Sequence, residues 1–144
     1  MATRSRIGIE KENGTILSVY CHWDGYPSNN GRILLESYTD KEKVSDLIEL
    51  GSISSLQKNI SPTLETAHHF DNPAKNVVVA YHRDRGEKLD APRVNASLEA
   101  FTKSDFEEYG YIFTKEGQWK IVYGDAQVEV LTQKICDGGE YFLE

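Results

Sequence analysis

The chain has 144 residues, of which 39% are hydrophobic and 27% charged, with a formal net charge of −7. That balance sets the expectation of a single globular domain over residues 1–144, large enough to bury roughly two thirds of its unfolded surface, and excludes a wholly disordered chain. The longest apolar run, Val77 to Tyr81, is only five residues, too short for a membrane span, and the acidic total argues against binding duplex nucleic acid by charge alone.

Residues 5–10 alternate, with Ile7 and Ile9 on one face. Ile16 to His22 alternates too: Leu17, Val19 and Cys21 point one way, and Ser18, Tyr20 and His22 the other. Asn13-Gly14 between them is a strong hairpin signal. Trp23-Asp24-Gly25-Tyr26-Pro27 reads as a turn carrying two aromatic rings. Ser28 to Gly31 can cap a short helix over Arg32 to Tyr38. Thr39-Asp40-Lys41-Glu42 has the spacing of a capping box and opens a helix to about Leu50, stopped by Gly51. Residues 52–76 are polar and predict a long loop.

Val77 to Tyr81 is the most strand-like segment, and 84–94, with Gly86 and Pro92, predicts another loop. Asn95 caps a helical stretch to about Lys103, and Ser104 to Glu107 starts a further turn. Tyr109 to Phe113 and Gln118 to Tyr123 predict a second hairpin through Lys115-Glu116-Gly117, and Gln127 to Ile135 reads as either a strand or a short helix. The fold class is therefore α+β, with antiparallel β-hairpins at both ends and helices and a long loop between them.

The start, Met1 to Arg6, has no apolar stretch behind it, so no secretory signal is expected there. Two cysteines, Cys21 and Cys136, are too few for a disulfide framework or a four-cysteine zinc site, and read as reduced thiols of a cytoplasmic protein. Charge is uneven. Residues 1–95 carry a net of −1 and all six arginines, whereas 96–144 carry −6. Anion binding through guanidinium forks belongs in the first part. The acidic second part confers solubility or faces a basic partner.

Three sites share the pattern His-x-Asp: His22/Asp24, His69/Asp71 and His82/Asp84. On a strand each pair points to one side and could hold a metal or a polarised imidazole, although the pattern is short and unspecific. His82-Arg83-Asp84 echoes the kinase catalytic loop, but the chain lacks the rest of that signature. No P-loop, Rossmann or nucleophile-elbow motif is present. Cys21 and His22 are strand neighbours facing opposite sides, so they do not form a dyad.

Two segments carry more specific chemistry. If the strand after Val77 continues, Tyr81, Arg83 and Arg85 share a face as one ring and two guanidinium forks, which suits a base and its phosphates. The competing reading ends the strand near Tyr81 and pairs the arginines with nearby acids. In Tyr20 to Pro27, the rings of Trp23 and Tyr26 with His22 and Asp24 resemble a stacking platform, and Arg32 one turn into the next helix can add charge; Trp23 as a buried core anchor is the alternative.

At these residues the chain resembles a widespread set of small bacteriophage proteins. The shared segments are Arg4-Ser5-Arg6-Ile7-Gly8, Val19 to Pro27, Leu34-Leu35, Leu50 to Leu56, and Tyr81-His82-Arg83-Asp84-Arg85-Gly86-Glu87. The likeness spans residues 3–113 and fades in the C-terminal 30. It implies a kinship with phage sponge proteins that counter nucleotide-signalling immunity (CBASS and Thoeris). Such proteins act in the host cytoplasm as homo-oligomers. They bind cyclic oligonucleotides or cyclic ADP-ribose-type signals without cleaving them.

The resulting expectation is a binding protein rather than an enzyme, with no catalytic residue, metal or cofactor. Trp23, Tyr26 and Tyr81 stack bases, Arg83, Arg85 and Arg32 hold phosphates, and His22 and Asp24 bond base edges or ribose. Two other classes compete. One is a metal-dependent nucleotide hydrolase using His22, Asp24, His82 and Asp84. The other is an inhibitor of a host protein that presents the acidic C-terminal part.

Overall fold

The computed structural model describes residues 2–61, 68 and 70–138. They form an α+β domain on one mixed sheet. Strand β1 (Ser5–Glu10) and strand β2 (Ile16–Cys21) pair antiparallel from Ser5↔Cys21 to Glu10↔Ile16. The turn between them closes through Lys11 N–H to Thr15 O and Gly14 N–H to Lys11 O, both 2.8 Å. This is the hairpin that Asn13-Gly14 predicts.

A single π-type turn (Pro27–Gly31) leads into helix α1 (Arg32–Ser37), followed by helix α2 (Lys41–Glu49). The cap of α2 is Asp40 rather than Thr39, its side chain accepting from Glu42 N–H. Strand β3 (Ile53–Ser55) follows, so residues 52–76 are not wholly a loop. The predicted strand over Val77 to Tyr81 is corrected too. Strand β4 is only Val79–Ala80, and Tyr81 opens helix α3 (Tyr81–Arg85). The cause is local. The Asp84 carboxylate accepts Ala80 N–H at 2.7 Å, and Gly86, at φ +78°, lets Glu87 N–H reach Tyr81 O at 3.1 Å.

Strand β5 (Arg93–Asn95) emerges from the predicted second loop. Helix α4 (Leu98–Lys103) is capped by Ser97, not Asn95. Strands β6 (Tyr109–Phe113) and β7 (Trp119–Tyr123) form the second hairpin. Residues 127–135 hold both predicted alternatives in turn, strand β8 (Gln127–Val130) and the start of helix α5 (Gln133–Cys136).

The sheet order is β4-β3-β2-β1-β6-β7-β8, with β5 beside the first half of β2. Parallel pairing of β1 with β6 joins the two hairpins. One face carries Ile7, Ile9, Val19, Tyr111, Phe113 and Ile121 and is covered by α1 and α2 through Leu34, Val44, Leu47 and Ile48. On the other face, Phe101 of α4 packs with Ile16, Ile112 and Val122. Gly110 makes room for it, since a Cβ there would lie 2.7 Å from Phe101 Cε2. Among the described residues, no helix is long and apolar enough to cross a membrane.

Candidate functional site

Strand β3 stitches together the two segments that stand out in the sequence. His22 and Trp23 continue β2 and donate their N–H groups to Ile53 O (3.1 Å) and Ser54 O (3.0 Å). Tyr81 N–H reaches Ser52 O at 3.3 Å from the opposite direction. The residues near 20 and near 81 therefore flank Ser52. Between them opens a cleft of about 340 Å³ lined by Tyr20, Ser52, Tyr81, Glu87, Lys88 and Asp90.

Each wall continues into further rings. Tyr20 Oη lies 2.7 Å from His22 Nδ1, and the His22 ring meets Trp23 edge-on at 4.7 Å. Trp23 is 45% exposed, so it belongs to this surface and is not a core anchor. The buried tryptophan is Trp119, whose Nε1–H donates to Tyr38 O. Across the cleft, the Tyr81 ring lies 6.0 Å from that of Phe70, and the Arg85 guanidinium sits 4.9 Å from the Phe70 centroid. Phe70, Asp71, Asp84 and Arg85 line a second opening of about 400 Å³.

Two carboxylates, Glu87 and Asp90, and one ammonium, Lys88, line the main cleft, and both carboxylates are committed. Burial pushes the Asp90 carboxyl up, but hydrogen bonds from the Ser52 hydroxyl and N–H (the latter 3.0 Å) outweigh it and hold it below the usual range. Glu87 pairs with Arg85 at 3.2 Å. Burial raises the Tyr20 phenol above its ordinary value. Tyr20 thus presents a neutral ring at neutral pH.

The structure brings some of the expected site residues together and disperses others. The shared strand face of Tyr81, Arg83 and Arg85 is corrected, because these residues are helical. Tyr81 and Arg85, four apart in α3, meet through Phe70. Arg83 turns inward and donates to Ile60 O (2.6 Å), Val78 O (2.7 Å) and the Asp84 carboxylate (3.0 and 3.1 Å). Arg32 is likewise occupied, donating to Cys136 O at 2.9 Å and pairing with Asp137 at 2.8 Å, so it clamps α5 to α1. Asp24 adopts φ +55° and leaves the strand direction, and the Tyr26 hydroxyl donates to it at 3.4 Å. The Asp24–Tyr26 turn is anchored by Gly25, whose N–H donates to Thr3 O and whose carbonyl accepts from Tyr111.

Of the two fully described His-x-Asp pairs, neither keeps strand geometry: Asp24 takes φ +55°, and His82 and Asp84 lie in α3. His82 and Asp84 are helical: His82 Nδ1 bonds Glu87 O at 2.7 Å, and Asp84 is spent on Ala80 N–H and Arg83. His68 accepts Ala74 N–H at Nδ1 and sets Nε2 3.1 Å from Asp84, without hydrogen-bond alignment. His69 lies outside the described residues. Among the described residues, no three His, Cys, Asp or Glu side chains converge as a metal site would require. Cys21 is fully buried with its thiol pushed up to about 11, in keeping with a packing role.

Sequence reasoning missed Ser52, Lys88, Asp90 and Phe70, which sit in segments read as loops. Tyr20 appeared only as part of the aromatic stretch. Strand alternation placed it on the polar face of β2, and that was the available signal. Comparison of the chain with protein-family models, curated proteins and solved structures finds no match.

Proposed function

We propose that this protein sequesters a cyclic nucleotide or cyclic ADP-ribose-type defence signal without cleaving it, as a phage immune-evasion protein acting in the host cytoplasm as a homo-oligomer. The observation that carries the reading is the cleft between Tyr20 and Tyr81, where segments about sixty residues apart meet over Ser52. Two phenol rings on a cleft of this size suit a nucleobase, and stacking contributes about 1–3 kcal/mol per base whatever its identity. Ser52 and Lys88 offer polar groups for ribose or phosphate. The likeness of the segments at 19–27 and 81–87 to small phage proteins supports the same reading. With Arg83 and Arg32 committed to structure, Tyr81, Arg85, His22, Trp23, Asp24 and Tyr26 remain as candidate ligand contacts around the cleft and its rim.

The test is retention. Purified protein is incubated with cyclic di- and trinucleotides and cyclic ADP-ribose isomers, freed of excess ligand and heat-denatured. Intact nucleotide in stoichiometric amount is the expected release, and Tyr81→Ala should abolish it without unfolding the domain. Recovery of a cleaved product would replace this reading with the hydrolase. If nothing is retained or altered, the nucleotide reading fails and the acidic C-terminal part becomes the surface to examine.

A further inference from the structure

Beside the cleft lie two guanidinium groups without a direct carboxylate partner among the described residues. Arg6 of β1 faces the side of the sheet opposite α1 and α2, and its cross-strand neighbour is Tyr20, a cleft wall. Although only 8% exposed, Arg6 makes no ion pair among the described residues. Its Nε donates to Ser18 Oγ at 3.0 Å and its Nη2 to Ser18 O at 2.9 Å. Its Nη1 has no acceptor among those residues. Arg93 of β5 is the register partner of Ser18 from the other side, so both arginines project over the same serine. Among the described residues Arg93 donates only to a backbone carbonyl, Asp105 O, at 2.6 Å.

Three acids surround the pair, and each is engaged elsewhere. Asp90 holds Ser52, Glu107 pairs with Arg4 at 3.7 Å, and Asp105 accepts Glu107 N–H at 3.0 Å. Burial and then the charge of Arg93 pull Arg6 down to about 10, even though Glu107, Asp90 and Asp105 act in the opposite direction. Arg6 therefore keeps an unspent N–H group beside a second guanidinium, a pair of donors that phosphate oxygens can use.

We infer that Arg6 and Arg93 form the phosphate subsite of the cleft, receiving phosphate oxygens over Ser18 while the base lies against Tyr20 and Tyr81. The inference rests on the nucleotide reading for the identity of the ligand. It moves phosphate recognition away from Arg83 and Arg32, whose donors are already used.

The anion site can be tested without a base. Titrating ¹⁵N-labelled protein with inorganic pyrophosphate should shift the Nε–H signals of Arg6 and Arg93 saturably. Arg93→Gln should weaken pyrophosphate binding about tenfold or more, the loss of a charge-assisted contact. Arg93→Lys, which keeps the charge, should weaken it less. Arg6 and Arg93 signals that do not move at saturation, or an Arg93→Gln variant that binds like the wild type, would overturn the subsite. Nucleotide retention together with unmoved Arg6 and Arg93 signals removes the subsite alone. Pyrophosphate binding at these arginines with no nucleotide retained supports the subsite and removes the nucleotide reading.

Discussion

Arg83 and Arg85 stand two residues apart and have opposite surroundings. Arg83 bridges two backbone carbonyls and the Asp84 carboxylate, whose side chain is 6% exposed, whereas Arg85 is 55% exposed and pairs with Glu87 beside the Phe70 ring. Removing Arg83 takes a donor from two backbone carbonyls and strips the buried Asp84 carboxylate of its guanidinium, leaving it Ala80 N–H. Arg83→Ala should therefore cost roughly 2–4 kcal/mol in urea unfolding, and Arg85→Ala about 1 kcal/mol or less. Acid supplies a second readout. Burial raises the Asp84 carboxyl, but Arg83, Ala80 N–H and His68 outweigh it, so its folded pKa lies below the ordinary value. Such a group contributes stability that is present above the unfolded pKa, near 4, and is lost as pH falls through the folded one. The stability gap between wild type and Arg83→Ala should narrow below about pH 4. A gap that stays constant with pH would place the effect of Arg83 in its backbone contacts alone.

Helix α3 shows how an element escapes a reading by periodicity. Three valines lead into Tyr81, and alternation alone extends the strand through Arg85. The deciding features are a carboxylate four residues after the last strand residue and a glycine in the left-handed region, and neither registers as hydrophobic pattern. The hairpins were legible because Asn13-Gly14 and Lys115-Glu116-Gly117 act locally. Glycine again separates two effects. At Gly86 a Cβ meets nothing within 4 Å and only the φ of +78° opposes a side chain, so Gly86→Ala should cost about 1 kcal/mol. At Gly110 the φ is ordinary but the Phe101 ring occupies the space, so Gly110→Ala should cost about 1–3 kcal/mol by overpacking. A smaller loss at Gly110 than at Gly86 would mean that α4 shifts freely on the sheet.

At the scale of the whole molecule, the features hardest to foresee are those that join distant segments. The parallel β1–β6 pairing and the meeting of Tyr20 with Tyr81 over Ser52 depend on segments about a hundred and about sixty residues apart. Residue types marked both segments as chemically unusual, but only the β3 pairing brings them to one cleft. The same long-range economy governs the C-terminus, where Arg32 ties α5 to α1 and the π-type turn through Cys136 O and Asp137. Cys136 and the central Cys21 are both buried, with thiols raised to about 11 mainly by burial. At pH 8 about one thiol in a thousand would be ionised, so an aromatic disulfide reagent should label the native protein only through opening. Cys21 lies within the sheet and should report global unfolding, while Cys136 should report release of α5. Arg32→Ala should accelerate Cys136 labelling by about tenfold or more, the equivalent of one charge-assisted clamp, and leave Cys21 unchanged. Equal acceleration at both thiols would show that the clamp stabilises the whole domain. No change at either would show that α5 is held by packing alone.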